Sequence, residues 1–172
     1  MRLKSGSASV SPAVEIRPIG LVRTCFVQKF GIPRQAGLIK EARGSIELRS
    51  DYRMAAAVKG LEGCSHLWIL FLFHGNVPLE ENKSPGWDPN WKPVIRPPRL
   101  GGVKKIGVFA SRSPHRPNSI GMSVVKIEKI HVSKKGEVRI DVSGVDLLDG
   151  TPVIDLKPYV PYADRVPRAR AG

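Results

Sequence analysis

The 172-residue chain is poor in several features that would assign it to a large class. Two cysteines, Cys25 and Cys64, are too few for a disulfide framework or a four-cysteine zinc site, and both adjoin apolar residues, so they read as buried free thiols. No apolar run approaches the roughly 18 residues of a membrane helix. The longest has seven, Leu67 to Phe73. No G-x-G-x-x-G follows a strand-like run, since "RLGGVKKIG" has the wrong spacing, so a Rossmann cofactor site is unsupported. No Walker motif argues for nucleotide hydrolysis, and no G-x-S-x-G elbow presents an acyl-transfer serine. The four histidines, His66, His74, His115 and His131, lack metal-ligand spacing, so no metal is expected.

What is present suits one compact domain. Hydrophobic residues are 41 % of the chain, enough for a core at this length. Gly and Pro number 17 and 15, below the share typical of low-complexity disorder. Residues 1–14, MRLKSGSASVSPAV, lack the apolar stretch of a signal peptide and read as a flexible arm. Residues 15–164 form the expected domain, and residues 165–172 a basic, unpatterned tail. A cytoplasmic location is expected.

Charge is of one sign and concentrated. Lys plus Arg is 28 against 15 Asp plus Glu, a formal charge of +13. From Lys92 to Lys135 eleven cations accompany a single acid, Glu128. Such a strip attracts polyanions through their phosphates, so a nucleic-acid partner is the first expectation and a merely basic surface the second.

The hydrophobic pattern predicts short strands. "EIRPIGLVRT", "GSIELR" (44–49) and the continuous run "HLWILFLF" (66–73) read as strands, the last of them central and buried. "KKIGVFA" (104–110) reads as another. "MSVVKIEKIHV" (122–132) and "EVRIDVSGVDLL" (137–148) alternate around the turn "SKKG" and predict a hairpin. "SDYRMAAAVKGLEG" predicts a short helix, capped by Ser50 or Asp51 and ended by Gly60. Residues 74–103, with Trp87 and Trp91, form a long Pro- and Gly-rich loop of the kind that is usually functional. The expected fold is mainly β: a small antiparallel barrel or sandwich with one short helix and long loops.

"KFGIPRQAGL" (29–38), "LEGCSHLWILFLFH" (61–74), "RPPRLGG…IGVFASRSPHRPNSIGMS" (96–123) and "DLLDGTPVIDLKPYVPYAD" (146–164) resemble, in that order, the TrmO family, also called TsaA-like or YaeB-like. The likeness runs from about Glu15 to Asp164. It implies a non-Rossmann β-barrel methyltransferase that uses S-adenosylmethionine, and a homodimer with the cofactor near the subunit boundary. It further implies methylation of N6 of N6-threonylcarbamoyladenosine at position 37 in the anticodon loop of tRNA. Longer family members continue beyond the "KPY" region, where this sequence soon stops, which bears on how RNA is gripped. Ser119 stands where relatives commonly have Pro, a change expected to alter turn rigidity.

The resemblance also implies roles for single residues. Gln35, Ala36 and Gly37 line the cofactor site from a loop whose small residues permit close backbone approach. His74, Gly75 and Met122 approach the cofactor. Arg112, directly after an apolar run, can clamp a carboxylate of the cofactor's methionyl end or of the substrate's threonyl end. Arg116 is a phosphate contact. Asn118 either fixes a purine edge or braces its own turn. Asp146, Leu147 and Leu148 either bind the cofactor's adenine through their backbone and apolar side chains or pack as a bulge. Asp149 is a turn residue by its chemistry and a candidate base. Asp155 and Tyr159 belong either to the reaction centre or to structural hydrogen bonding. Alignment of the two reactants is the larger expected contribution to rate, with Asp149 or Asp155 as proton acceptor. Tyr52 or Trp91 is a candidate to receive the unstacked base.

Overall fold

The computed structural model describes residues 14–76, 90–97 and 101–170. Among the described residues there are eight strands: β1 (Gly20–Thr24), β2 (Arg43–Leu48), β3 (His66–Leu72), β4 (Val94–Ile95), β5 (Ile106–Gly107), β6 (Ile120–Val132), β7 (Val138–Ser143) and β8 (Pro152–Pro158). Six of them close into a barrel in the order β1-β2-β7-β6-β3-β8, and β4 and β5 form a separate two-stranded sheet. Every pairing is antiparallel. Closure leaves the barrel no free sheet edge, a common liability of β proteins.

Alternation in the sequence becomes inside and outside. Val22, Ile46, Leu67, Ile69, Val125, Ile140, Val142 and Val153 are fully or almost fully buried and fill the barrel. The β6–β7 hairpin joins Val132 to Val138 through a turn in which Ser133 Oγ accepts the N–H groups of Lys135 and Glu137. The register slips between Ile127 and Lys129, where Glu128 bulges and accepts a hydrogen bond from Ser143 Oγ. Helix α1 (Tyr52–Ala57) starts at Asp51, whose side chain accepts from the Arg53 N–H. Gly60 takes φ 89° beyond its end. Met54, Ala55 and Val58 pack against the barrel core. Among the described residues, no helix is long and apolar enough to cross a membrane.

Several elements differ from their sequence reading. The strand expected over 104–110 is two residues long, Ile106–Gly107, and tightens at once into a 3₁₀ turn over Val108–Ala110. The strand expected to reach Leu148 ends at Ser143, because Gly144 turns the backbone to φ 75°. The first strand begins at Gly20, after Pro18, and not at Glu15. A second helix, α2 (Pro161–Asp164), follows the "KPY" run, so the chain has more than one helix. Cys25 is exposed and Cys64 half-buried, which corrects the expectation of two buried thiols. Trp87, and much of the loop expected over 74–103, lies outside the described residues.

Candidate active site

A cleft of about 740 Å³ opens where five segments meet at one end of the barrel. They are the β1–β2 loop, the end of β3 with the 3₁₀ turn His74–Asn76, the turn at 111–116, the start of β6 and the segment after β7. Its volume lies within the roughly 300–1,000 Å³ of small-molecule sites. The wall is mainly apolar, with Phe71, Phe73, Met122, Leu147 and Leu148 set among a few charged side chains.

The charged groups are held by hydrogen bonds between segments distant in the sequence. Arg112 Nη1 donates to Gln35 Oε1 at 2.8 Å, and Gln35 Nε2 donates to the Arg34 carbonyl at 2.5 Å. Asp146 Oδ1 accepts from Ser123 Oγ at 2.7 Å, and the same carboxylate accepts the backbone N–H of Ala36. Burial pushes the Asp146 carboxyl above its usual range, and Ser123, the local backbone and the nearby Arg112 oppose that rise. Gly37 N–H donates to the Gly144 carbonyl at 2.8 Å, so two backbones meet closely. Gly37 and Gly144 take φ 77° and 75°, which accounts for glycine at both positions.

The segment after β7 is stitched to the end of β1. Thr24 Oγ1 donates to the Leu147 carbonyl at 3.0 Å, and Thr24 N–H to Asp149 Oδ1 at 3.0 Å. Leu147 is thereby buried, while Leu148 reaches the cleft beside Gly75. His74 sits at the rim. Desolvation is the main force lowering its imidazole below 6.5; Lys29 acts in the same direction, and a Leu72 backbone hydrogen bond and Asp149 oppose it.

The structure gathers Gln35, His74, Gly75, Arg112, Met122, Asp146, Leu147 and Leu148 around one cavity. Ala36 and Gly37 stand behind Gln35 and hold its loop to the far wall. Four candidates fall elsewhere. Asn118 is exposed in the turn before β6 and does not line the cleft. Asp149 has its carboxylate engaged by Thr24, with Arg23 at 3.8 Å. Asp155 lies on β8, paired with Lys157 at 3.2 Å. Tyr159 packs near His66 and Trp68, with ring centroids 6.4 and 6.1 Å away. Arg116 lines the cleft, but its Nη1 donates to the Ser111 carbonyl at 2.9 Å and braces its own turn. Tyr52 opens α1, and its side chain is outside what the structure describes. Ser119 takes φ 49°, a value closed to proline, so the turn here has a different backbone from one built on proline.

Sequence reasoning missed Ser123 and Lys29. Ser123 is an inward residue on β6, and its link to Asp146 exists only once β6 and β7 pair. Lys29 opens the segment 29–38 without a role of its own in the sequence, and only the fold brings it over Gly75.

The family described as the tRNA-methyltransferase O N-terminal domain matches residues 21–165. The tRNA (adenine(37)-N6)-methyltransferase of Escherichia coli K12 is 46% identical over 158 residues, covering 92% of this chain and 63% of that protein. A putative S-adenosylmethionine-dependent methyltransferase of Pseudomonas aeruginosa, RcsF, is 51% identical over 157 residues, covering 91% and 62%. The crystal structure of TrmO from Pseudomonas aeruginosa superposes with a TM-score of 0.70 at 45% identity, covering 94% of this chain and 62% of that one. The chain thus spans about three fifths of the length of these relatives.

Proposed function

The chain belongs to the tRNA-methyltransferase O family, and from that premise we propose that it methylates N6 of adenosine 37 in tRNA, using S-adenosylmethionine, in the cytoplasm. The substrate nucleotide is N6-threonylcarbamoyladenosine in the anticodon loop. The observation that carries this reading is the pairing of charges in the cleft, where Arg112 is held against Gln35 within the field of Asp146.

That donor set fits the cofactor. A guanidinium matches its carboxylate, a carboxylate matches its positive charges, and the Phe73 and Leu148 side chains offer an apolar wall for its adenine. When bound, the cofactor supplies a methyl group activated for in-line displacement. Arg112 binds and orients a carboxylate, and Gln35 fixes the plane of that guanidinium. Asp146 holds the Ala36 backbone, so the loop bearing Gln35 keeps its place. His74, kept neutral by burial, is our choice for the group that takes the N6 proton, because Asp149 is engaged with Thr24 and Asp155 lies outside the cleft. Alignment of the reactants remains the larger contribution. Exposed Ile120 and Met122 at the cleft support a homodimer with the cleft at its boundary.

Incubation with labelled S-adenosylmethionine and tRNA carrying or lacking the threonylcarbamoyl group tests the proposal. Methyl incorporation confined to the modified tRNA is expected. Equal or absent incorporation in both overturns it. Salt-sensitive RNA binding without any cofactor-induced rise in melting temperature would leave a non-catalytic RNA-binding module.

A further inference from the structure

Next to the cleft lies an aromatic surface that methyl transfer does not use. The 3₁₀ turn after β5 sends Val108 into the interior and turns Phe109 outward, 72% exposed. The turn is firmly held. Val108 N–H donates to the Pro93 carbonyl at 2.9 Å, and the Val108 carbonyl accepts from Ser111 Oγ at 2.8 Å. Trp91 braces the exposed ring, with centroids 6.0 Å apart and planes tilted by 33°. The Arg116 guanidinium lies over the same ring, 5.8 Å from its centroid. Arg116 also lines the cleft, so ring and cavity share a wall.

An exposed phenyl ring braced by an indole and a guanidinium offers a flat, low-entropy surface. The surrounding charge selects what lies on that surface. From Asn90 to Arg116 the sequence has seven Lys and Arg and no Asp or Glu. A polyanion with planar groups satisfies both features, whereas an acidic peptide satisfies only the charge. Unpaired bases stack on aromatic side chains in this way, with cations tracking the backbone. Resting on the reading of the cleft as an RNA-modifying site, we propose that Phe109, braced by Trp91 and Arg116, is a stacking platform for an unpaired base beside the nucleotide being modified.

The test measures binding of a synthetic anticodon stem-loop to the full chain. Phe109→Ala is expected to weaken affinity on the order of 5- to 100-fold, the range for one lost base–aromatic stack. Phe109→Trp is expected to restore it. Stacking releases no counterions, so the salt slope of binding should match that of the wild type in both variants. The cofactor-induced thermal shift should also be unchanged. Affinity of Phe109→Ala within about twofold of wild type overturns the platform, as does a changed salt slope. An altered oligomeric state with intact RNA affinity also overturns it and marks the surface as a protein interface. Wild-type protein that binds the stem-loop but methylates no tRNA overturns the catalytic reading and leaves the platform to stand or fall on Phe109→Ala. Wild-type protein that binds no stem-loop overturns both.

Discussion

Arg112 is exposed at the lip of the cleft, and its side chain donates to Gln35 rather than to the core. Its removal should therefore cost function and not fold. Arg112→Ala is expected to abolish the cofactor-induced thermal shift and lower kcat/KM by about 100-fold or more, as loss of a bidentate charge-assisted pair implies. The melting temperature without ligand should move by no more than about 2 °C. Arg112→Lys keeps the charge but not the planar fork, and an intermediate loss is expected. His74 sets a pH dependence. Its folded pKa lies below 6.5, so the neutral imidazole persists under weak acid. Between the folded value and 6.5 the unfolded chain binds more protons, so the neutral side chain's contribution to stability is complete above 6.5 and is lost as pH falls through that window. Activity should follow the same limb, rising with pH toward 6.5, and His74→Gln should flatten it. A limb unchanged in that variant assigns the titration to another group. Arg112 stood out from the sequence because a polar turn follows an apolar run. The burial that tunes His74 and Asp146 did not, since it depends on which distant segments cover them.

The strands were legible wherever one face meets the core and the other meets water. β1, β2, β6 and β7 alternate, and the alternation survives as the buried interior. The Asp51 cap and the αL Gly60 marked α1 equally well. Legibility failed where the chain leaves the barrel. Ile106 to Ala110 is as apolar as a strand, but its backbone finds partners in Pro93 and in its own turn. The apolar run past Ser143 looks like a continuing strand, yet Gly144 redirects it, and that bend forms the cleft wall from Asp146 to Leu148. Close packing at the start of β6 yields a prediction. A methyl on Gly121 would overlap the buried Phe71 ring and come within 2.8 Å of Phe73 Cζ. Phe71 and Phe73 stack edge to face at 5.0 Å and have little room to retreat. Gly121→Ala should destabilise the fold by about 1–3 kcal/mol, seen as a lower denaturant midpoint with unchanged m-value. A neutral result would mean that the two rings move together.

At the scale of the whole molecule, closure of the barrel explains why no spacing along the chain brought the site residues together, although the resemblance named many of them. Gln35 and Arg112 are 77 residues apart, and Ser123 and Asp146 are 23 apart. They meet because β7 lies between β2 and β6, which brings the β1–β2 loop, the segment after β7 and the start of β6 to one cavity. No periodicity encodes that order. The charge asymmetry, by contrast, was legible in full, because it needs only composition along the chain. It predicts a salt dependence. Each Lys or Arg that neutralises a phosphate releases counterions, so the logarithm of affinity falls linearly with the logarithm of salt concentration. Lys104 and Lys105 are exposed just before β5, and neither has an ion pair among the described residues. They precede Phe109 closely in the sequence, and the stacking proposed for that ring is insensitive to salt. A Lys104→Ala, Lys105→Ala double variant should therefore flatten the salt slope of tRNA binding by roughly 0.7–0.9 for each lysine that contacts phosphate. It should leave the melting temperature within about 2 °C of wild type, as expected of surface changes away from the core. An unchanged slope would remove the RNA backbone from this side of the barrel.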